Sequence, residues 1–550
     1  MKKLICMVLI ASLMLTGCIF GAPEETTLPA SRDPQNLTAQ SSGQTPGEGE
    51  TVISLSDSGV SVNGEAAPAQ GDVYTAHDIV YYESGHDFTY GEGSEQDAHD
   101  ADEAAAHTVV HIAAPGTYRI SGTLSAGQIA VDLGEGAEDD PNAVVTLILD
   151  GADITCTVAP AVIFYNVYEC GSAEEETASA VVDTSAAGAN VVLAENSVSV
   201  VNGSYVARIY REGTVVLSED GTAVEDAKKL HKYDAAFYSK MTMNVDGGGT
   251  LLIRAENEGL DSELHLTING GEIYIRSGND GINTNEDNVS VTTINGGLVS
   301  ITVTGETGEG DGIDSNGWLV INGGTVLASA CGFSGDAGID SDLGIYINGG
   351  TVMASGNMLD AIAGGNAAYA VFQFSGSQSG GGTYVLKNEE GEQILEYTPE
   401  NGFSCLILGG DAMEPGTYSL WMGETQLSGV SGNFFGNNPG TLPERFEGGP
   451  PQGDFEIPPQ PTMPLEPQVG SNPSGQTPPH SDGQENPPEL PQGEAPTVPE
   501  GITPPEGMTP GSRPMGPGGN GGFGQMPDTD EATVEFVIVQ GGNYFIVVAP

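Results

Sequence analysis

The stretch "GDGIDSNGWLVINGGTVLASACGFSGDAGIDSDLGIYINGGTV", residues 310–352, contains the same pattern twice. In each half, a turn rich in Gly and Asp precedes the motif Ile-Asn-Gly-Gly, which leads into a short alternating run. The motif occurs four times at spacings of 26, 27 and 26 residues, in 268–271, 294–297, 321–324 and 347–350. A fixed period of this length indicates a repeat architecture.

The runs that follow the motif, "EIYI", "LVSI", "TVLA" and "TVMA", alternate between inward and outward positions. This period of two predicts β-strands with one buried face, on which Ile273, Val299, Val326 and Val352 are aligned. No apolar stripe with the helical period of 3.6 residues accompanies them. Short strands separated by Gly, Asn and Asp turns predict an all-β fold in which each repeat forms one coil of a parallel β-helix.

The asparagine of each motif falls at the same corner of successive coils. We therefore predict a ladder in which each side-chain amide bonds the next, a structural role that we favour over binding. Its members are Asn269, Asn295, Asn322 and Asn348. The glycines that follow supply the positive φ that the bend requires.

Composition divides the chain into segments. Segment 431–530 is dominated by Pro, Gly, Gln and Glu and cannot bury a core, so we expect it to be disordered. The complete division is a signal peptide at 1–17, a flexible tether at 18–72, a parallel β-helix domain at 73–370, a small β cap at 371–430, the Pro/Gly-rich segment at 431–530 and terminal β-strands at 531–550.

The first residues, "MKKLICMVLIASLMLTGC", place two lysines before an apolar run that is too short for an ordinary membrane span. The ending Leu-Thr-Gly-Cys18 resembles the lipobox of bacterial lipoproteins. That resemblance implies cleavage before Cys18 and a lipid on its sulfur; an ordinary secretory signal is the alternative. We expect a protein on the extracellular face of a bacterial membrane, held there only by its lipid anchor.

The chain carries 76 acidic and 15 basic residues, a formal net charge of −61. Such a surface repels nucleic acid and anionic lipid, which excludes both as expected partners, and it is compatible with cation binding or with solvated surface charge. The cysteines beyond Cys18 show no CxxC spacing. Cys156 and Cys170 are either a disulfide or free thiols, and we expect a monomer.

Aligning the turns of successive repeats predicts two columns of acidic and amide side chains. Two carboxylates one coil apart repel by about 0.9 kcal/mol in water and by several times more near a low-dielectric surface, which favours a bound cation. Oxygen ligands without clustered His or Cys indicate Ca²⁺, while Asp and Asn as ordinary turn residues are the alternative. The first column is Asp280, Asp311, Asp336 and Asp360, and the second is Asp261, Asn283, Asp314 and Asp340.

Candidate sugar contacts are few in so acidic a chain. Arg254 and Arg276 occupy matching outward positions, where they either form salt bridges to Asp280 or Glu256 or recognise sugar carboxylates. Lys240 is a further basic candidate. Trp318 either stacks on a sugar ring or packs against the body.

The stretch "YDAAFYSKMTMNVDGGGTLLI" (233–253), followed by the Gly-Leu-Asp-Ser, Asp-Gly-Ile and Ile-Asn-Gly-Gly repeats, resembles the family of carbohydrate-binding domain-containing proteins first described in a clostridial cellulose degrader. The resemblance covers roughly residues 73–425. It implies a right-handed parallel β-helix, similar to pectate lyases, that binds Ca²⁺ and plant polysaccharides such as polygalacturonate and cellulose.

The leading hypothesis is a surface-anchored, calcium-dependent, non-catalytic binder of acidic polysaccharide. A polysaccharide lyase is the first alternative, with Arg254, Arg276 or Lys240 as the base beside Ca²⁺. A structural adhesin that contacts another cell or protein is the second.

Overall fold

The computed structural model describes residues 37–230, 232–431 and 533–548. These residues confirm the all-β class, with 3% helix and 48% strand. Within these ranges the helical elements are one α-helix, Ala101–Ala105, and two 3₁₀ turns, Ala137–Asp139 and Glu175–Thr177. No helix in the described ranges is long and apolar enough to cross a bilayer. The predicted signal peptide, Cys18 and all but the first residue of 431–530 lie outside these ranges.

Successive repeats contribute strands to three parallel rows, which the chain visits in a constant order; the repeat that contains Gly344–Ile347 and Thr351–Gly356 contributes to the first and second rows only. The first row contains Met243–Gly247, His265–Ile268, Val291–Ile294, Trp318–Ile321 and Gly344–Ile347. The second row contains Thr250–Ala255, Glu272–Ser277, Leu298–Val303, Thr325–Ser329 and Thr351–Gly356. The third row contains Ala235–Ser239, Glu258–Ser262, Ile282–Thr284 and Ile313–Ser315.

The pairing register follows the repeat, as the sequence predicts. Ile273, Val299, Val326 and Val352 pair in sequence along the second row and are completely buried. Burying an aliphatic side chain of this size contributes about 1.5–3 kcal/mol. Because a shift by one residue would turn every such side chain to the other face, the buried column fixes the register of the whole row.

The rows extend toward the amino terminus with less regular strands. The first and second rows belong to one 22-stranded sheet. The amino-terminal strands of that sheet are Glu50–Leu55, Ser61–Val62, Glu65–Ala66, Gly116–Leu124, Val145–Cys156, Ala189–Leu193 and Val198–Gly203. Those that extend the third row are Val73–Ala76, Thr108–Ile112, Gly127–Asp132 and Val162–Asn166.

Part of the predicted tether is folded, so that prediction is wrong for these residues. Glu50–Leu55 pairs in parallel with Gly116–Leu124, and Ile53 is completely buried. Arg119 donates to Glu50 Oε2 at 2.7 Å and to Asp150 Oδ2 at 2.9 Å. Composition did not predict this strand because it is short and is flanked by Gly, Ser and Glu. Its alternation of apolar residues nevertheless matches that of the strands it pairs with.

At the carboxyl side antiparallel pairs join the parallel ones, since Ala368–Gln378 pairs in parallel with Gly542–Val548 but antiparallel with Phe403–Gly410. Phe403–Gly410 pairs with both Thr351–Gly356 and Ala368–Gln378 and so ends the second row. The last strands here are Ile362–Gly364, Ser428–Ser431 and Gly542–Val548. A separate five-stranded sheet contains Tyr384–Asn388, Gln393–Tyr397, Gly416–Met422, Thr425–Gln426 and Phe536–Ile538.

An insertion precedes the third row's Ala235–Ser239 strand and carries a two-stranded ribbon, Val216–Leu217 with Val224–Asp226.

The cysteines in the described ranges are all free, which decides against a disulfide between Cys156 and Cys170.

Candidate functional site

The third row carries a cluster of three buried carboxylates, Asp234, Glu258 and Asp261. One carboxylate oxygen from each lies within 4.8 Å of the other two. Adjacent strands bring them together: the Glu258 amide donates to the Asp234 carbonyl at 3.0 Å, and Asp261 pairs with the strand that Asp234 precedes. Within the described ranges, no other group of three such side chains meets this spacing. We call these residues the acidic cluster.

The acidic cluster holds its carboxylates in an environment that disfavours charge. Burial, reinforced by the neighbouring carboxylates, raises the pKa of Glu258 and of Asp261 well above the ordinary range. Burial also raises the pKa of Asp234 to about 6, although the Lys232 ammonium opposes it. Lys232 Nζ contacts Asp234 Oδ2. Three ionised carboxylates and this ammonium would sum to −2, a charge that one divalent cation would neutralise.

One buried oxygen of the acidic cluster, Asp234 Oδ1, and one beside it, Asn283 Oδ1, have no hydrogen-bond partner among the described residues. Asn283 stands directly beside Asp261 in the third row, and its amide nitrogen donates to Asn285 Oδ1 at 3.0 Å. An unsatisfied buried acceptor costs about 1–3 kcal/mol. Carboxylate and amide oxygens are the ligands that Ca²⁺ takes in proteins, so these residues fit a hard cation.

The second predicted column exists in the structure. Asp261, Asn283 and Asp314 are successive partners along the third row. Asp340 continues the column, because Ile313 donates to the Gly338 carbonyl and accepts from the Asp340 amide. Burial, and secondly the Asp342 charge, raises the pKa of Asp314 to about 6. Asp314 and Asp340 are only half-buried, so this end of the column is open to a ligand.

The first predicted column holds only in part. Asp280 Oδ1 accepts the Asp311 backbone amide at 2.6 Å, and Asp311 Oδ1 accepts the Ala337 amide at 2.5 Å. Each carboxylate thus ties its turn to the next repeat with one oxygen. Burial, and secondly the Asp314 charge, raises the pKa of Asp280 to about 7.

Two residues of that column occupy other places. The backbone register sets Ala337, not Asp336, beside Asp311, because the turn at 335–340 is one residue longer than the turn at 310–314. Asp336 Oδ2 instead accepts the Gly310 amide at 2.7 Å. Asp360 precedes Ile362–Gly364, a strand that pairs in the first row rather than the third. Its Oδ2 accepts the Ser341 amide at 3.1 Å, which places Asp360 beside the second column.

The two arginines stack as predicted but on a different row from the acidic residues. Arg254 and Arg276 are partners in the second row. Arg254 donates to Asn202 Oδ1 at 3.2 Å, and Arg276 lies 3.5 Å from Glu400 Oε2. The contacts are therefore neither of the predicted salt bridges. Both arginines line a small cleft of about 50 Å³ with Tyr274.

Lys240 and Trp318 lie at separate places. The Lys240 amide, directly after Ala235–Ser239, donates to the Phe164 carbonyl at 2.9 Å. Trp318 begins a first-row strand and is half-buried, and its carbonyl accepts the Ser315 hydroxyl at 2.9 Å. The structure thus assembles the acidic residues of the second column, leaves Arg254 and Arg276 on another row, and places Lys240 directly after a third-row strand.

Sequence reasoning missed Asp234, Glu258 and Lys232. Asp234 directly precedes a third-row strand that comes before the first perfect repeat, where the alignment of turns has no motif to start from. Glu258 does have a signal, because in "NEGLD" it stands where Asp280 and Asp311 stand in "NDGIN" and "GDGID". Lys232 lies in the insertion before the repeats, so no period in the sequence marks it. Burial lowers the pKa of Lys232, but Asp234 and Glu258 outweigh that effect and raise it. The Lys232 side chain consequently stays an ammonium, which has no lone pair to accept a proton.

The asparagine ladder forms as predicted. The amide nitrogen of Asn295 donates to Asn269 Oδ1 at 2.8 Å, Asn322 donates to Asn295 at 2.9 Å, and Asn348 donates to Asn322 at 2.8 Å. Unlike the acidic cluster, its first three members are exposed and the fourth is half-buried.

Comparison with known proteins gives two matches and one negative result. No curated protein matches the chain. One matching solved structure is described as the polysaccharide lyase-like protein from C. thermocellum, in a gadolinium derivative; it is 19% identical, with a TM-score of 0.33, and the alignment covers 57% of this chain and 92% of that one. Residues 106–171 and 170–366 match the model of a family described as carbohydrate-binding domain-containing protein. The acidic cluster, both columns and the asparagine ladder all lie within the residues that match this family.

Proposed function

We propose that this protein is a calcium-dependent, non-catalytic binder of acidic polysaccharide. The observation that carries the proposal is the set of oxygen ligands in the third row. There Asp234, Glu258 and Asp261 converge, beside buried oxygen acceptors that have no hydrogen-bond partner among the described residues. The match to a carbohydrate-binding domain family supports the class of ligand. We also infer that the three parallel rows wind as a right-handed parallel β-helix.

The third row offers two environments for a cation. In the acidic cluster, Asp234, Glu258 and Asp261 would hold an ion away from solvent, where it would stabilise the fold. At the half-buried end, Asp311, Asp314 and Asp340 would hold an ion that a ligand can reach. Ca²⁺ supplies positive charge and accepts further oxygen ligands, including the carboxylate of a uronic acid.

A cation is needed for an acidic ligand in particular. A chain with a net charge of −61 repels a polyuronate, and this repulsion lowers both the association rate and the affinity. Calcium between the aspartates and the sugar carboxylates would reverse the sign of the local interaction. Polygalacturonate is therefore the ligand we expect, and binding should disappear when calcium is removed.

Binding is favoured over a lyase reaction by the positions of the basic groups. A base must lie within hydrogen-bond reach of the proton that it removes, beside the cation that holds the substrate. Arg254 and Arg276 belong to the second row, and Lys232 is kept protonated by Asp234 and Glu258. None of these three combines a suitable position with a free base. Lys240, which directly follows the third-row strand Ala235–Ser239, is the remaining candidate, and Lys240→Ala tests it in the unsaturated-uronide assay.

We infer from the sequence around Cys18 that the protein is lipid-anchored on the extracellular face of the membrane. The test is Cys18→Ser, with the membrane and soluble fractions compared for both proteins. Release of the variant supports the anchor. If both proteins stay in the membrane fraction, the anchor is wrong.

The decisive experiment for the ligand is titration calorimetry with polygalacturonate, in millimolar calcium and in excess chelator. The test variant is Asp311→Asn/Asp314→Asn, which removes charge but keeps the oxygen that accepts the Ala337 amide. The matched control is Glu219→Gln at an exposed position of the insertion. We expect binding in calcium only, weakened about tenfold or more in the double variant and unchanged in the control.

Binding that is equal with and without calcium would contradict the proposal. The absorbance of unsaturated uronide is followed in the same mixtures. If that product forms, and Arg276→Ala abolishes it, the protein is a lyase and the binding proposal is wrong.

A further inference from the structure

A second cleft of about 430 Å³ lies on the outer face of the first row, away from the acidic residues. Its floor combines two columns of neighbouring repeats: the asparagine ladder, and the outward side chains Asn244, Thr267, Thr293 and Val320, which are successive partners in the first row. Its wall is the segment 180–185. None of these residues enters the calcium proposal.

The wall is fixed to the floor at one end. Thr184 Oγ1 donates to Thr267 Oγ1 at 2.8 Å, and Asn244 donates to the Thr184 carbonyl at 2.8 Å. Beyond these contacts the floor continues along Thr293 and Val320 beneath the wall. The wall is thus held over the floor by specific bonds, so the cleft is built into the fold and does not depend on a loosely placed loop.

The floor presents hydrogen-bonding groups in a repeating line. An asparagine amide has two N–H donors and an oxygen with two lone pairs, and the ladder uses one donor and one lone pair of Asn295 and of Asn322. Each amide therefore keeps a donor and an acceptor for a ligand. Their spacing is that of neighbouring strands, about 4.8 Å, which is close to the length of one pyranose ring.

An unsatisfied acceptor also belongs to this cleft. Asn244 is 9% exposed, lines the cleft, and its Oδ1 has no hydrogen-bond partner among the described residues. Because that oxygen is itself buried, the Asn244 side chain would have to rotate slightly before a ligand hydroxyl at the anchored end of the cleft could donate to it. The site thus lacks a donor of the kind that sugars carry.

Charge decides which sugars the cleft accepts. Of the described residues that line it, Asp183 is the one ionisable side chain, and it is exposed. With no cation and one carboxylate, the cleft disfavours uronic acids. Val320 in the floor and Val181 and Val182 in the wall offer apolar surface to the C–H faces of sugar rings, while the amides and hydroxyls match uncharged hydroxyl groups.

We propose that this cleft binds a neutral polysaccharide chain, laid along the asparagine ladder with about one sugar per repeat. The inference rests on the proposed function in taking the ligand to be a glycan, but it requires no calcium. The molecule would then hold neutral and acidic chains at separate places, with the third row serving the acidic ones.

The test is titration of the full chain with cellohexaose in excess chelator. Thr293→Arg places a long charged side chain on the floor at an outward, half-buried position, and Val181→Arg obstructs the rim at a residue that is 86% exposed. The matched control is Thr417→Arg, an outward position of the five-stranded sheet that does not line the cleft. We expect calcium-independent binding, weakened about tenfold or more by either obstructing variant and unchanged by the control.

The two proposals fail separately. Polygalacturonate binding in calcium should persist in Thr293→Arg and Val181→Arg, because the third row is intact. No binding of cellohexaose by the unsubstituted protein would overturn the cleft assignment, as would binding that neither obstructing variant reduces. Cellohexaose binding that appears only with calcium would also overturn it. Loss of polygalacturonate binding alone would leave it standing.

Discussion

The asparagine ladder and the acidic cluster both stack side chains along parallel rows. The ladder members form hydrogen bonds with one another, whereas the carboxylates of the acidic cluster cannot. In the ladder, Asn295 donates to Asn269 and accepts from Asn322, so identical side chains complement each other. In the acidic cluster, Asp234, Glu258 and Asp261 are all acceptors when ionised. Stacking identical amides closes a chain of hydrogen bonds, whereas stacking carboxylates requires a positive charge or a donor from elsewhere.

Burial widens that difference. Exposed amides in the ladder can exchange one partner for water, so losing a rung costs little. The carboxylates of the acidic cluster are removed from water, and each remaining charge acts on the others with little screening. The following predictions test this contrast, from the largest expected effect to the smallest.

The largest effect is expected from Lys232→Met, which removes the ammonium that contacts Asp234. Breaking a buried ion pair costs about 3–5 kcal/mol, and because the Lys232 side chain is 45% exposed we expect about 2–3 kcal/mol in metal-free protein. Denaturant unfolding in chelator measures it. The control is Lys229→Met, which removes an exposed pair with Glu92 and should cost under about 1 kcal/mol. Equal losses would mean that the acidic cluster does not depend on its ammonium.

Asp234→Asn/Glu258→Gln should reduce the stabilisation by calcium. One lost site at a hundredfold excess of calcium over its dissociation constant amounts to about 2.7 kcal/mol. Because the double variant also relieves repulsion, we expect it to be more stable than the unsubstituted protein in chelator. Chemical unfolding with and without calcium measures both effects, and Glu219→Gln should behave as the parent does. A full calcium response in the double variant would remove these residues from the site.

Metal-free protein should gain stability on acidification from pH 7 to 5, by several degrees in Tm. Burial raises the pKa of Asp280 to about 7 and of Asp314 to about 6, above their usual 3.8. Their stabilisation is therefore fully present below pH 3.8 and is lost as pH rises through the folded-state values.

Buried His265 works in the opposite direction. Burial lowers its pKa from 6.5 to about 4, so its share of stability is lost as pH falls from 6.5 toward 4. The comparison is therefore made on the same protein with and without calcium, which leaves His265 unchanged. A pH response that is identical in both conditions would show that the carboxylates do not take up protons in place of the metal.

The smallest effect belongs to the ladder. Asn295→Ala should cost about 0.5–1.5 kcal/mol, the ordinary value of one hydrogen bond, because its exposed neighbours can turn to water. Thermal unfolding with the exposed Asn366→Ala as control measures the difference. A loss of 3 kcal/mol or more would mean that the amides act as a buried network, contrary to their exposure.

The sequence predicts the rows because their cause is local and repeated. The Ile-Asn-Gly-Gly motif fixes the corner, and the alternation after it fixes the face. The pairing of Ile273 with Val299, and of Val299 with Val326, therefore follows without any tertiary information. The column of Asp261, Asn283 and Asp314 follows in the same way. Asp336 was misplaced because a single extra residue in its turn shifts the register, which counting from motif to motif conceals.

Other features depend on long-range contacts that no local pattern reveals. Asp234 joins the acidic cluster through a strand before the first perfect repeat, and Lys232 reaches it from an insertion. The strand Glu50–Leu55 is fixed by Arg119, 69 residues from Glu50. The cleft over the ladder depends on Thr184 meeting Thr267, 83 residues apart. In each case the partner lies outside the repeat and has no period.

The central claim, that calcium neutralises the third row, is tested most directly by thermal unfolding of demonstrably metal-free protein during a calcium titration. Stability should rise with the logarithm of the calcium concentration above the dissociation constant, and magnesium should be the weaker ion because it demands stricter geometry. We predict a rising Tm through the millimolar range and a smaller rise in Asp234→Asn/Glu258→Gln. A Tm that does not change between metal-free buffer and millimolar calcium would contradict the account and leave the aspartates as turn residues only.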